Sequence, residues 1–202
     1  MIELNTPIYR KGILLVRKYL SVMLIVLLMS GESSALLPAT YKDYKARYQS
    51  EARTPEGAVK MYFDAVFAFI NEQTRDEAAK MLRYSLHSET PIERSAYYST
   101  FVERMKSSHY SHIFRSFAVG TSPENNYAMS PDDYELAFTG ERRKDSGYVT
   151  VFLKSSGADS VRGVWVKQYD DGLWYVINNA STYVEVRQPK RQNAHDADYD
   201  LR

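Results

Sequence analysis

The chain has 202 residues, of which 44% are hydrophobic and 25% charged, and this composition suits one compact domain with some additional segments. Lysine and arginine (26 residues) nearly balance aspartate and glutamate (25 residues), so the overall charge gives no attraction to nucleic acid or to membranes. The absence of cysteine excludes disulfides, thiol catalysis, cysteine–zinc sites and a lipidated-cysteine anchor. The 17 tyrosines suit strand faces, cavity walls and interfaces, because the tyrosine ring is apolar and its tip polar.

An apolar segment near the N-terminus predicts export. Arg17 and Lys18 precede an uncharged run over residues 19–31. As a helix this run would be roughly 20 Å long, against the about 30 Å of hydrocarbon in a bilayer. With the small residues that follow, it predicts a signal peptide over residues 1–35 and an exported protein, periplasmic or secreted. Alternatively, residues 13–31 act together as an inner-membrane anchor, and the rest of the chain faces the periplasm.

The next part of the chain carries the start signals of helices. Three tyrosines at helical spacing predict a short helix within a lead-in segment, residues 36–53. The run 54–56, Thr-Pro-Glu, combines a capping residue, a proline at the first helical position and an acid in the first turn. Thr74 with Glu77 forms a capping box that predicts a second helix, and residues 90–93 form another that predicts a third.

After about residue 106 the apolar spacing changes from helical to alternating, which predicts strands. The predicted strands are residues 109–119, 134–138, 148–154, 161–169 and 173–179. Residues 139–147 are predicted to be a polar loop, and Asp171-Gly172 a tight hairpin turn. The polar tail, residues 189–202, is predicted to be disordered. Residues 54–188 thus form an α+β domain, with three N-terminal helices packed on a curved antiparallel sheet of about five strands.

Two stretches carry a resemblance to a known superfamily: the helix pair "TPEGAVKMYFDAVFAFINEQTRDEAAKML" and the closing hairpin "VWVKQYDDGLWYVINN". On these stretches, the domain resembles the nuclear transport factor 2-like superfamily, which includes ketosteroid isomerase and the SnoaL-type cyclases. The resemblance implies a cystatin-like cone with a pocket between helices and sheet, and homodimers through the sheet face. One fold hosts many functions, so the resemblance assigns no activity by itself.

The isomerases of this superfamily offer a test of catalysis. The resemblance implies a tyrosine on the first helix that stabilises the enolate, and an aspartate after the second helix that moves the proton. Tyr62 stands at the position of that tyrosine, but Thr90 stands where the base is expected. Glu89, one residue earlier, points to the other side of an extended segment. Asp64 is expected to face solvent or to lie at the helix edge. Tyr62, Asp64 and Glu89 are the candidate catalytic residues, and a buried, hydrogen-bonded core tyrosine is the favoured interpretation of Tyr62.

Five side chains are candidates for contact with a ligand in the predicted pocket. They are Tyr62, His87, Tyr97, Trp174 and Asn178. His87 follows the second predicted helix, where a side chain can line a pocket mouth, and Asn178 lies at the far end of the closing strand.

The sequence predicts neither a metal site nor a cofactor. His109 and His112 resemble a metal pair, but residues three apart on a strand face opposite sides. The alternating aspartates of residues 196–200 resemble the start of a calcium loop that lacks its later glycine and glutamate. The basic residues 142–144 are flanked by acids and are interpreted as a solvated loop, and no nucleic-acid partner is expected.

These observations favour an exported, non-catalytic binding domain. Its partner is either a small apolar molecule in the cone pocket or a protein on the sheet face. One alternative is a membrane-anchored periplasmic scaffold component that resembles the assembly domains of type IV secretion and conjugation. The other is an isomerase or dehydratase that uses Tyr62.

Overall fold

The computed structural model describes residues 36–190. The predicted signal peptide or anchor and the aspartates of residues 196–200 lie outside the described residues, as does most of the predicted polar tail. Between residues 36 and 190, no helix is long and apolar enough to cross a membrane. This part of the chain is an α+β structure with five α-helices and one four-stranded antiparallel sheet.

The first two helices begin at threonine residues. α1 spans Tyr41–Glu51, within the predicted lead-in segment, and α2 spans Pro55–Ile70. The side chain of Thr54 caps α2 by accepting a hydrogen bond from the amide of Gly57 at 3.0 Å. Proline suits the first position of α2 because an amide hydrogen there would have no partner within the helix. α2 therefore starts where the sequence predicts it.

Gly57 brings the end of α1 directly against the start of α2. A Cβ atom on this residue would lie 1.8 Å from the carbonyl oxygen of Glu51 and 2.8 Å from its carbonyl carbon. Real Cβ atoms do not come within 3.0 Å of backbone atoms, so only glycine fits at this position. The absence of a side chain at Gly57 thus allows the end of α1 and the start of α2 to approach this closely.

The predicted capping box of the next helix does not form, although the helix does. α3 spans Arg75–Ser85. The hydroxyl of Thr74 donates to the carbonyl oxygen of Ala68 at 2.5 Å, and the carboxylate of Glu77 accepts from the amide of Tyr41 at 2.7 Å. Both side chains therefore serve neighbouring helices, α2 and α1, rather than the start of α3.

The third predicted helix begins later than expected. Residues 92–98 form two 3-10 turns, Ile92–Arg94 and Ala96–Tyr98, and neither has a side-chain cap. α4 follows over Ser99–Lys106. The prediction of a strand over residues 109–119 is wrong, because a 3-10 turn and the short helix α5, Ser111–Arg115, occupy this segment.

The sheet has four strands rather than about five. β1 spans Phe138–Arg143, β2 Tyr148–Leu153, β3 Arg162–Gln168 and β4 Trp174–Asn178, and they pair in the order β1-β2-β3-β4. The strand predicted over residues 134–138 is reduced to a single bridge between Ala118 and Leu136. β1 instead lies where the polar loop is predicted. It is an edge strand with every residue exposed, so its composition resembles that of a loop.

The core lies between α2 and one face of the sheet. The register pairs Val151 with Val164 and Val166 with Val176, and all four side chains are fully buried. Aromatic rings fill the layer between helices and sheet; for example, the ring of Phe63 on α2 lies in contact with that of a phenylalanine after α5, 5.3 Å away. α2 buries twelve of its 16 residues because α1, α3 and the sheet surround it.

The C-terminal end of α1 also binds the edge strand β4. The amide of Trp174 donates to the carbonyl oxygen of Ala52 at 2.8 Å, and the hydroxyl of Tyr48 donates to the carbonyl oxygen of Trp174 at 2.7 Å. These two hydrogen bonds join residues more than 120 positions apart in the sequence. They place Tyr48 of α1 next to Tyr175 of β4.

Candidate functional site

A groove opens beside the C-terminal end of α3, with a volume of about 700 Å³. We call it the tyrosine groove. It is lined by Tyr41, Lys80, Arg83, Tyr84, His87, Ser88, Glu89 and Tyr175. These residues come from α1, α3, the loop after α3, and β4. Because three distant parts of the chain form the groove, no local sequence motif marks it.

Tyrosine rings form the wall of the groove. The Tyr84 ring on α3 packs edge-on against the rings of Tyr41 and Tyr175, with centroids 6.0 and 5.7 Å apart. Behind them, the fully buried ring of Tyr48 lies 5.0 Å from that of Tyr84 and stacks at 5.4 Å on that of Tyr175. Each such pair contributes about 0.5–1.5 kcal/mol beyond area burial. The wall is therefore packed in place without a ligand.

The tyrosine hydroxyls differ in whether they have a proton to offer. The Tyr175 hydroxyl donates to a carboxylate oxygen of Asp171 at 2.6 Å, and burial, followed by this hydrogen bond, raises the pKa of Tyr175 well above its usual value. The Tyr84 hydroxyl accepts from the side-chain amide of Gln49 at 3.2 Å. A tyrosine hydroxyl carries one proton, so that of Tyr175 is committed to Asp171. The two hydroxyl oxygens lie 3.4 Å apart, so the proton of Tyr84 has a distant acceptor in Tyr175 and can turn to a ligand that offers a closer one.

His87 stands at the mouth of the groove in a backbone conformation that glycine usually adopts. Its φ angle is 45°, and it closes α3 with its own amide bonded to the carbonyl of Tyr84 and the amide of Ser88 bonded to the carbonyl of Arg83. This pattern is a Schellman motif, in which a non-glycine residue costs about 1 kcal/mol. The imidazole stacks on the ring of Tyr169 at 4.0 Å with an interplanar angle of 17°. The strained backbone thus holds the imidazole at the groove.

We expect His87→Gly to change the free energy of unfolding by less than about 1 kcal/mol, because relief of strain offsets the lost ring stacking. His87→Ala loses the stacking and keeps the strain, so it is expected to lower that free energy by about 1 kcal/mol relative to His87→Gly. Urea denaturation of both variants measures the difference. Equal destabilisation by the two substitutions would show that the backbone at this position is not strained.

Positive charge lies along one side of the groove. The Arg83 guanidinium donates to the carbonyl oxygens of Ser88 and Glu89 at 3.2 and 2.6 Å, and these neutral partners do not cancel its charge. Lys80 is 57% exposed and pairs with Glu77. The Lys45 ammonium lies 5.4 Å from the centroid of the Tyr84 ring, so a cation of the protein already occupies the electron-rich face of that ring.

All the residues that line the tyrosine groove belong to one domain, and this domain matches a known family. Residues 36–190 match the profile of a domain of unknown function, DUF6935, and this range includes every residue that lines the groove. The chain belongs to the DUF6935 family. No curated protein and no solved structure matches it.

The DUF6935 domain brings two of the predicted site residues together. His87 and Glu89 both line the tyrosine groove. Tyr97 is 62% exposed after α3, Trp174 is 8% exposed and faces the core side of the sheet, and the side chain of Asn178 accepts from a backbone amide two residues later. The groove residues that were not predicted from the sequence are Tyr41, Lys80, Arg83, Tyr84, Ser88 and Tyr175. The tyrosine excess and the helical spacing of the α1 tyrosines are the signals that point toward them.

Tyr62 lies in the core of the DUF6935 domain. Its side chain has no exposed area, and its hydroxyl contacts the hydroxyl of Thr182 at 2.8 Å and the side-chain amide of Asn179 at 3.1 Å. Burial raises the pKa of Tyr62 well above its usual value. Protein groups therefore surround the hydroxyl that an isomerase would present to its substrate.

The prediction that Asp64 faces solvent is wrong. Its carboxylate is fully buried on α2, where it accepts from the Lys60 ammonium at 2.6 Å and the Tyr134 hydroxyl at 2.7 Å, and lies 3.5 Å from the Arg47 guanidinium. Burial, followed by the charge of Asp64, raises the pKa of Tyr134 well above its usual value. Lys60, four residues earlier on the helix, is the signal in the sequence. Arg47 and Tyr134 come from other elements, and only the fold brings them near.

His109 and His112 lie on a helical segment rather than on a strand. Their rings are 6.4 Å apart, and a ring nitrogen of His112 lies 2.9 Å from the carbonyl oxygen of His109. Burial lowers the pKa of His112. Across residues 36–190, no three side chains of the metal-binding types lie close enough together to hold an ion.

Proposed function

We propose that the DUF6935 domain is a non-catalytic binding domain and that the tyrosine groove is its ligand site. The observation that carries this proposal is the packed wall of tyrosine rings, with an imidazole held at its mouth by a strained backbone. Strained conformations of this kind cluster at ligand sites. The volume of about 700 Å³ falls in the range of small-molecule pockets, roughly 300–1,000 Å³.

The lining indicates the chemical class of the ligand. The rings of Tyr41 and Tyr84 are partly exposed and that of His87 is exposed, so these three offer apolar surface to a flat or ring-shaped group, while the buried Tyr175 supports them from behind. The Tyr84 hydroxyl offers a proton to an acceptor closer than the Tyr175 oxygen. Arg83 bonds only to neutral carbonyl oxygens and attracts negative charge, Lys80 shares its charge with Glu77, and the Glu89 carboxylate opposes both cations. Lys45 repels a second cation from the Tyr84 ring. We therefore expect a small molecule with an apolar ring and one anionic group.

A fragment screen in matched pairs tests this class. Ligand-observed NMR compares ring-bearing carboxylates, beginning with 4-hydroxybenzoate, with the corresponding neutral amides and with straight-chain carboxylates. We expect the ring-bearing carboxylates to bind best and His87→Gly to weaken their binding. Equal binding of straight-chain acids, or no binding by any member of the set, would contradict the proposal.

Two substitutions of opposite sign check the electrostatic part. Lys80→Gln is expected to weaken binding of the best carboxylate by about threefold, and Glu89→Gln to strengthen it by about threefold, since both groups are exposed and screened. Binding of the matched amide should change little in either variant. Dissociation constants from NMR titration measure all four combinations. A change of the same sign in both variants would mean that the charge of the groove does not select the ligand.

We also propose that the domain acts outside the cytoplasm, on the basis of the predicted signal peptide. The alternative is a scaffold component held in the inner membrane by residues 13–31. N-terminal sequencing of the protein from the cell envelope distinguishes them. A mature chain that begins after residue 35 supports export, and a retained N-terminus supports the anchored scaffold.

A further inference from the structure

The sheet has a second face, opposite α2, that carries aromatic and basic side chains. On β2 and β3 the buried valines alternate with side chains of this outer face: Tyr148 and Phe152 are half-buried, and Trp165 is 40% exposed. The register pairs Tyr148 of β2 with Lys167 of β3, and it pairs Arg142 of β1 with a residue of β2. We define the outer face by Arg142, Lys144, Tyr148, Phe152, Trp165 and Lys167.

Each aromatic ring of the outer face has a cation beside it. The Lys144 ammonium lies 4.4 Å from the centroid of the Trp165 ring, the Arg142 guanidinium 5.4 Å from that of Phe152, and the Lys167 ammonium 5.7 Å from that of Tyr148. Counting only residues 36–190, no carboxylate lies within 4.0 Å of any of the three cations. The overall charge of the chain is nearly balanced, so this positive patch is a local feature that composition does not reveal.

We propose that the outer face binds the surface of a membrane that contains anionic lipids. Aromatic side chains settle at the headgroup level of a bilayer, and nearby lysines and arginines are attracted to anionic lipids by about 1 kcal/mol each. The outer face combines both groups on one open sheet surface. The prediction of a loop over residues 142–144 is wrong for Arg142, which belongs to β1, although its side chain is exposed as predicted and lies beside the ring of Phe152.

The same contacts argue against a single-stranded nucleic acid. Binding of that kind requires open ring faces on which bases stack. On the outer face, the protein's own Lys144 and Arg142 lie over the rings of Trp165 and Phe152. A lipid surface needs only that cations and rings reach the same depth, so these pairs can persist in the bound state.

Fluorescence of Trp165 in the full chain tests the proposal. The probes are vesicles of phosphatidylcholine alone and vesicles of equal parts phosphatidylcholine and phosphatidylglycerol, each made with brominated acyl chains. We expect emission to be quenched by the anionic vesicles and not by the neutral ones, and the quenching to disappear in Trp165→Phe. Because the readout is at Trp165, it reports on the outer face even if the N-terminal segment itself inserts.

A matched pair of triple variants separates this face from general charge. Substitution of Arg142, Lys144 and Lys167 by glutamine is expected to weaken the quenching interaction about 100-fold. Substitution of Lys42, Arg53 and Arg94, three exposed cations elsewhere, changes the net charge equally and is expected to leave it nearly unchanged. Equal losses in the two variants, absence of Trp165 quenching, or tighter binding to a single-stranded oligonucleotide or an acidic protein than to anionic vesicles would overturn the proposal.

Discussion

Replacing Asp64 by alanine is expected to lower the free energy of unfolding by about 3–5 kcal/mol, the usual loss when one partner of a buried charge pair is removed. Asp64 accepts from Lys60 and Tyr134 and lies beside Arg47, so its loss leaves two cations and a buried hydroxyl without their acceptor. Urea denaturation followed by circular dichroism measures the change.

Two further variants distinguish lost charge from lost volume at Asp64. Asp64→Asn keeps the shape and an acceptor for the Tyr134 hydroxyl, so we expect a smaller loss than in Asp64→Ala. Lys60→Ala in the Asp64→Ala background should cost less than Lys60→Ala alone, since the lysine then has no carboxylate to pair with. Additive effects of the two substitutions would show that Lys60 and Asp64 do not depend on each other.

Gly57→Ala is expected to lower the free energy of unfolding by about 2–3 kcal/mol, as overpacking does in tightly filled sites. The sign is the informative part, because alanine in place of glycine within a helix normally stabilises it by about 1 kcal/mol. Here the new Cβ atom would lie 1.8 Å from a backbone oxygen of α1, and one of the two helices must move. Since α1 carries Tyr41 and Tyr48, we expect the tyrosine groove to loosen as well.

Glu56→Ala is the matched control for this prediction, because it changes the neighbouring residue in the first turn of α2 without adding an atom at the junction. We expect a loss of at most about 1 kcal/mol from the helix dipole. Chemical shifts of the groove tyrosines report the movement of α1. A stabilised Gly57→Ala protein with unchanged tyrosine shifts would rule out the tight junction.

The sequence predicts elements whose start signals are local. Thr54 with Pro55 defines the start of α2, and Asp171-Gly172 defines the last hairpin, where Gly172 has a φ angle of +77°. Prediction from the sequence fails where tertiary contacts determine the secondary structure. Residues 109–119 contain Ile113, Phe114 and Phe117, whose spacing suits a buried helix turn as well as a strand. The resemblance to the nuclear transport factor 2-like superfamily stays a prediction.

The candidate site also combines residues that local signals predict with residues that only the fold brings together. His87 and Glu89 could be proposed from their position after a helix. The tyrosines of the groove lie on α1, α3 and β4, and their proximity depends on the docking of α1. Asp64 has one local signal, Lys60, while Arg47 and Tyr134 approach from other elements. Side chains that come together from distant segments have no fixed spacing in the sequence. Motifs therefore predict neither the buried Asp64 nor the tyrosine groove.

The contact between α1 and β4 has a consequence for solubility. An uncovered edge strand offers free amides and carbonyls to another chain and invites sheet-to-sheet association. In this domain α1 occupies the backbone of Trp174 at one edge, while the opposite edge strand, β1, is exposed and rich in charge. A recombinant fragment that starts at Thr54 would keep the long helix and the sheet but uncover Trp174. We therefore expect α1 to reduce aggregation, and a fragment chosen for expression should start before Tyr41.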